Sequence, residues 1–174
     1  MDAVKAVKAA RDVTEKVAPL CFDCGRVCGS ACCKQGEQGE GMLLFPGEEA
    51  LYRSLPQGFS LKPYIDLPGT FLLTCNGVCR RSQRPLACRF FPLTPLARSD
   101  AQGNIRLRLA LDRRAWPVCP LMESGFRGLA PSFIEACKEA ARLLFSSQEQ
   151  RAFLLGLDGL MDAYRLSLWE ESAT

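Results

Sequence analysis

The sequence predicts an α+β fold in which a small irregular β-sheet and a cysteine-rich middle lie between an N-terminal helix and a C-terminal helical hairpin. Three patterns support this prediction: helical periodicity of apolar residues near both ends, alternation over residues 105–111, and dense cysteine between residues 21 and 119. The chain of 174 residues has single-domain length and no long linker, so we expect one domain spanning residues 1–174.

The first element is a helix predicted from about Ala3 to Val17. Its apolar positions, with charged residues between them, are Val4, Val7, Val13 and Val17. The charges in this stretch leave no apolar region of a secretory signal peptide and no segment that spans a membrane. We therefore expect a cytoplasmic protein without a membrane partner.

The middle of the chain predicts short elements. A glycine-rich loop at 35–41 precedes a strand at 42–45, and a proline with two acidic residues then begins a short helix over 46–55. Residues 59–74 contain two prolines, which predicts short irregular strands joined by turns. These elements lead into the second group of cysteines.

The last third combines one strand with two helices. Residues 105–111 alternate between apolar and other side chains, which predicts a half-buried strand entered from a turn at 100–104. Residues 131–170 predict a helical hairpin, divided by a capping-box pattern at 146–149. Its apolar stripe consists of Phe133, Cys137, Ala140 and Leu144, then Phe153, Leu157, Leu160, Met161, Tyr164 and Leu168.

Composition argues against two classes of function. The net charge of +3 is small and dispersed, and no helix-turn-helix or aromatic-basic platform pattern is present, so we expect no nucleic-acid partner. The chain has no histidine, which removes the usual general base for hydrolysis by a serine or cysteine nucleophile.

Cysteine is the strongest chemical signal in the sequence. In a reducing compartment, dense cysteine more often means metal or redox chemistry than a disulfide framework. The adjacent pair Cys32 and Cys33 agrees, because a bridge between neighbours strains the disulfide. A C-x3-C-x3-C-C run, a C-x3-C pair and two further residues give the candidate metal ligands Cys24, Cys28, Cys32, Cys33, Cys75, Cys79, Cys88 and Cys119.

These candidates match in number the ligands of two four-cysteine sites. Without histidine, a soft metal has to be held mainly by thiolates, and the metal is either zinc or iron, the latter including a [4Fe-4S] cluster. One cluster fed by several segments and two neighbouring metals both remain open. Cys137 lies on an apolar helical stripe and is expected in the core, whereas Cys21 is either a ligand or a bystander.

Spacing and charge suggest how the ligands are arranged. Residues three and four apart share one face of a helix, so Cys24, Cys28 and Cys32 are expected to point the same way while Cys33 points to another ligand set. Thiolate sites with divalent metals carry excess negative charge, which nearby cations can compensate. The candidate cations are Arg80, Arg81, Arg84 and Arg89.

Three functions fit these residues. The first is a metal-binding protein in which zinc or an iron–sulfur cluster organises the middle of the fold. The second is an iron–sulfur-dependent enzyme or redox protein. The third is a thiol redox or metal-transfer protein, for which the stretch from Cys21 to Cys24 supplies a C-x-x-C motif.

Residues 22–120 resemble the YkgJ-type zinc- or iron-chelating domain, also called the CxxCxxCC family. The resemblance rests on four stretches: FDCGRVCGSACCK, MLLFPGEEALY, CNGVCRRSQRPLACRFFPL and the Cys119-Pro120 pair. The first cysteines are separated by three residues here, where family members commonly have two, and Arg80-Arg81 replaces the usual aromatic residue after Cys79.

The resemblance implies metal chelation and assigns ligand groups. Its first motif corresponds to the run from Cys24 to Cys33, and its second includes Cys79 and Cys88 with Arg84 and Arg89 beside the ligands. The family is defined by presumed chelation, and most members have no assigned activity. We therefore expect a cysteine-rich, metal-organised region at residues 22–120, bound to a metal ion or cluster.

Overall fold

The computed structural model describes residues 1–34, 41–67, 69–77 and 79–172, and beyond residue 163 it describes the backbone alone. Within these ranges lie six α-helices and two small antiparallel sheets, 48% helical and 18% strand, which confirms the α+β class. No helix in this part of the chain is long and apolar enough to cross a membrane. The loop predicted at 35–41 lies outside the described residues except for Gly41.

The N-terminal helix, α1, spans Ala3–Thr14 and begins where the Asp2 side chain accepts a hydrogen bond from the Lys5 N–H. It ends three residues before the predicted Val17. The buried face also differs from the predicted valine stripe, because Val13 is 37% exposed. The buried residues are Ala3, Ala6, Val7, Ala10 and Thr14. Small side chains at the contact let α1 pack closely against a C-terminal helix.

A three-stranded antiparallel sheet occupies the middle of the chain. Its strands are β1 (Met42–Leu43), β2 (Phe59–Tyr64) and β3 (Thr70–Cys75), in the order β1-β3-β2. The helix predicted over 46–55 is a 3₁₀ turn, Glu48–Tyr52. Strands β2 and β3 pair in continuous antiparallel register, rather than as the short irregular strands predicted for 59–74, and Cys75 lies at the end of β3 opposite Phe59.

The second sheet is a two-stranded hairpin of β4 (Leu93–Ser99) and β5 (Ile105–Leu111). Strand β5 and its turn at 100–104 confirm the predicted strand, but burial alternates only over residues 106–109, because Ile105 is exposed and residues 109–111 are all half-buried. The sequence did not indicate β4, because its first five residues are all buried and therefore show no alternation. A short helix, α3 (Leu86–Phe90), precedes β4 across a cis Phe91–Pro92 bond.

The C-terminal helices are α5 (Pro131–Phe145) and α6 (Gln148–Ser172), as predicted. The stripe on α5 is buried as expected, and α6 buries Phe153, Leu154, Leu157 and Met161. The side chains of Tyr164 and Leu168 lie outside the described residues. The Ser146 hydroxyl donates to the Leu143 carbonyl at the end of α5, rather than completing the predicted capping box.

The hydrophobic core lies away from the cysteine-rich run. Helices α1, α3, α5 and α6 and the β4–β5 hairpin supply most of its buried residues. Residues 21–34, by contrast, contain no buried residue, although they include the short helix α2 (Gly25–Cys28). Burial of apolar surface therefore does not by itself hold this run in place.

Candidate metal centre

One cavity of about 920 Å³ brings the predicted ligands together. All eight candidate cysteines line it, and so does Cys21. Cys137 is fully buried within the core instead, where burial raises the pKa of its thiol to about 12. The structure thus separates the structural cysteine from the others as the sequence predicted, and it adds Cys21 to the cavity wall.

The first cysteine run changes direction after α2. Cys24 immediately precedes this helix and Cys28 is its last residue. Gly29 and Ser30 then both adopt left-handed backbone conformations, with φ of 60° and 59°. The predicted single helical face from Cys24 to Cys32 is therefore wrong, because Cys32 and Cys33 lie on a separate 3₁₀ turn, Ala31–Cys33.

The second run reaches the cavity through a sheet edge, a turn and a helix. Cys75 ends β3, Cys79 follows four residues later, and Cys88 lies on α3. Gly77 fixes how this run meets the first, because a Cβ atom there would lie 2.5 Å from the Cys33 carbonyl oxygen. Glycine at position 77 thus permits a backbone contact between the two cysteine runs.

Cys119 approaches from a third segment. Its N–H donates to the Ala115 carbonyl, and the short helix α4 (Leu121–Ser124) follows it. Burial raises the pKa of its thiol, and the backbone N–H groups of Leu121 and Met122 oppose that rise. These backbone donors favour a thiolate at this position.

Burial dominates the protonation of several other thiols. It raises the pKa of Cys88 well above the ordinary value, and it is also the leading cause of the raised pKa of Cys24 and Cys79. Such thiols are protonated near neutral pH, so a metal that binds them has to displace protons.

Cys32 and Cys33 titrate as a pair. A hydrogen bond between the two thiols lowers the pKa of Cys33 to about 6 and raises that of Cys32. The pair shares one proton, so a single thiolate forms easily and a second forms only with outside compensation. A metal ion supplies such compensation.

Only some of the predicted arginines face the thiols. Arg84 interacts with Cys79, Cys33 and Cys88, and these thiolates raise its pKa against the opposing effect of burial. Its Nε is buried and has no hydrogen-bond partner among the described residues. An orphaned donor beside thiols matches an acceptor that the described chain does not supply.

Arg89 and Arg81 face backbone oxygens instead. Arg89 donates to the carbonyls of Arg81, Ser82 and Arg84 and forms an ion pair with Glu15. Arg81 donates to carbonyls at the end of α1. These two arginines therefore link the loop between Cys79 and Cys88 to the C-terminal end of α1 through hydrogen bonds and an ion pair.

A buried ion pair that the sequence did not indicate supports the same loop. Glu48 is fully buried and accepts from Arg11 at 2.7 Å and from the Leu86 N–H at 2.7 Å. Arg11 also donates to the carbonyls of Ser82 and Arg84. In the sequence, Glu48 reads as an acidic residue that begins a short helix. Its partner Arg11 lies 37 residues away, so no local motif predicts the ion pair.

The candidate ligands are all thiols, which suit a soft metal, but they are not arranged around a common metal position. Among the residues that the structure describes, no group of three or more histidine, cysteine or acidic side chains is arranged to hold a metal ion. The thiols line a shared cavity, and a metal would have to draw them together. No protein-family model, curated protein or solved structure matches the chain.

Proposed function

We propose that this protein binds metal through cysteine thiolates, with zinc or an iron–sulfur cluster organising residues 21–34 and the segment from Cys75 to Cys88. The observation that carries the proposal is that eight cysteines from three separate segments line one cavity. Thiolates are the ligands that zinc and iron–sulfur clusters prefer. Metal binding would also stabilise residues 21–34, which contain no buried residue.

Two features of the cavity wall support the proposal. Arg84 places positive charge beside three thiols, and its unpartnered Nε is available to a thiolate or sulfide sulfur. The backbone N–H groups of Leu121 and Met122 lower the pKa of the Cys119 thiol against the effect of burial. Both features compensate negative charge. A metal–thiolate site needs such compensation, whereas neutral thiols do not.

The cavity has room for an iron–sulfur cluster as well as for zinc. Structural zinc sites are closed four-coordinate cages that leave little open space. The volume of about 920 Å³ lies within the range of small-molecule pockets. An iron–sulfur-dependent enzyme or redox protein is therefore the second candidate function.

The proposal also includes membership of a chelating family and a cytoplasmic location. The cysteine runs and the RP-x-x-CR-x-FP motif at 84–92 support membership of the YkgJ-type chelating family. Free thiols at this density suit a reducing compartment, which supports a cytoplasmic location.

Elemental analysis with a visible absorption spectrum, on protein purified without oxygen, tests the proposal directly. Iron with acid-labile sulfide and a broad band near about 400 nm identifies a cluster. Colourless protein that carries zinc identifies a thiolate zinc site. Protein without bound metal, which also fails to take up added zinc or iron with sulfide, contradicts the proposal.

Serine variants test whether the metal binds to the thiols that line the cavity. Cys88→Ser is expected to lower bound metal and the melting temperature, because it removes a cavity-lining thiol. Cys137→Ser is the matched control: it places a hydroxyl in the apolar core and costs about 1–3 kcal/mol of stability, but it leaves metal content unchanged. Equal metal loss in both variants would show that metal content reports only on folding.

A further inference from the structure

We infer that Arg11, Glu48 and Tyr52 are positioning residues of the metal site, which hold the loop between Cys79 and Cys88 in place before a metal binds. This inference rests on the proposed function and adds residues that contact no metal. None of the three side chains lines the cavity, so each acts through the backbone of residues 81–86.

The loop is held by four consecutive carbonyl groups, those of residues 81–84. Arg11 donates to the carbonyls of residues 82 and 84, each at 2.8 Å, and the Tyr52 hydroxyl donates to the carbonyl of residue 83, also at 2.8 Å. Arg89 donates to the carbonyl of residue 81 and to two of the others. Each bond constrains the distance and direction of one peptide group, so together they fix the path of the loop.

Glu48 couples this loop to the helix that follows it. Its carboxylate is fully buried, and one oxygen accepts both from Arg11 and from the Leu86 N–H, each at 2.7 Å. Leu86 is the first residue of α3, the helix that carries Cys88. One carboxylate therefore orients both the guanidinium that binds the loop and the helix that bears a candidate ligand.

Stability alone is a weak explanation for this buried ion pair. Desolvation of two charges offsets much of their attraction, so apolar side chains of similar volume are often at least as stabilising. Apolar side chains could not donate to the loop carbonyls, whereas Arg11 and Tyr52 do so at three consecutive positions. Groups of this kind, placed behind the ligands of a metal site, orient those ligands and set the affinity for the metal.

The first cysteine run lacks such support. Residues 21–34 contain no buried residue, whereas the loop at 81–84 is bound from α1 and from the 3₁₀ turn at Glu48–Tyr52. Ligands that are already in position lose less conformational entropy on binding. Cys79 and Cys88 are therefore the pre-positioned ligands, and the strength of metal binding depends on the side chains that hold their loop.

Zinc binding to the full chain tests this dependence. Tyr52→Phe keeps the ring but removes the hydroxyl that binds the loop, so it should weaken zinc binding about tenfold without changing the number of zinc ions bound at saturation. Competition with a chromophoric chelator measures the affinity. Tyr64→Phe is the matched control, since Tyr64 is half-buried at the end of β2 and outside the cavity wall. Unchanged affinity in Tyr52→Phe would overturn the inference.

A pair of carboxylate variants separates positioning from stability. Asp158 is a buried carboxylate that accepts from Arg98 and Arg108, and none of these three residues lines the cavity. Glu48→Gln and Asp158→Asn should both lower the melting temperature, but only Glu48→Gln should also weaken zinc binding, by about tenfold or more. Equal weakening in both variants would show that zinc affinity follows folding stability alone, which contradicts a positioning role.

Hydrogen exchange of the metal-free chain tests whether the loop is formed before a metal binds. Amides of residues 79–88 should exchange at least about tenfold more slowly than those of residues 21–34, and Tyr52→Phe should accelerate exchange mainly in residues 79–88. Equal exchange rates in the two segments would overturn the inference while leaving the proposed function intact. A wild-type chain that takes up neither zinc nor iron with sulfide would instead overturn the proposed function, and this inference with it.

Discussion

At the scale of single residues, Arg84 and Arg89 have different roles although they belong to one short motif. Arg84 faces the thiols, where its charge supports thiolate ligands. Arg89 is almost completely buried and binds the backbone of the loop that carries those ligands. Arginine suits the second role because its planar fork donates in several fixed directions at once.

Glu48 gives a prediction at this scale. Glu48→Gln should lower the free energy of unfolding by about 3 kcal/mol, because it leaves the Arg11 guanidinium without its buried carboxylate partner. Urea denaturation monitored by circular dichroism measures the change. Glu49→Gln, in the same 3₁₀ turn but only half-buried, is the control and should change stability by less than about 0.5 kcal/mol. Equal effects of the two substitutions would show that the ion pair contributes nothing specific.

At the scale of elements, the contact between the two cysteine runs depends on a turn after β3. Strand β3 is held by β2 on one side and by β1 on the other, so its end has a defined position. Gly77 then brings this end against the Cys33 carbonyl. The two cysteine runs are thus positioned by a sheet whose own residues include one candidate ligand, Cys75.

Substitution of Gly77 tests this contact. Gly77→Ala should lower bound metal, because the added Cβ would lie 2.5 Å from the Cys33 oxygen and force the two cysteine runs apart. Gly103→Ala is a matched control, since Gly103 has nearly the same φ, +81° against +80°, but no atom near the added Cβ. It should cost about 1 kcal/mol through backbone strain and leave metal content unchanged. Normal metal content in Gly77→Ala would contradict the role of the contact.

At the scale of the whole molecule, the core and the cysteine-rich region are stabilised in different ways. The core is built from apolar side chains of the helices and the β4–β5 hairpin, and its one cysteine is Cys137. The eight candidate ligands lie outside it. We therefore expect metal removal to loosen the region around the cavity without unfolding the core.

Chelation tests this expectation. Treatment with a strong chelator should increase the rate of proteolysis within residues 21–34 by at least about tenfold, since no buried side chain holds this run. The far-UV circular dichroism of the protein should change little, because α1, α5 and α6 stay folded. Cleavage sites identified by mass spectrometry provide the measurement. Global unfolding on chelation, or an unchanged cleavage rate, would each contradict this separation of core and cavity.

Local patterns were sufficient to predict the elements whose signal repeats along the chain. The alternation at 105–111 indicated β5, and apolar spacing indicated α1, α5 and α6. The same patterns failed where tertiary contacts decide: β4 is buried on both faces, and α1 turns its alanines inward because close packing with α5 favours small side chains.

The sequence by itself determined which side chains are candidates: with ten cysteines and no histidine, a soft metal would be held mainly by thiolates, and helical spacing assigns Cys137 to the core. Only the tertiary structure decided which thiols are neighbours. Cys119 lines the same cavity as Cys24 and Cys28 although it lies in a distant segment, and left-handed residues at 29 and 30 separate Cys32 from the helix before it. Ligand identity is a property of side chains, whereas grouping depends on long-range backbone contacts that no local pattern encodes.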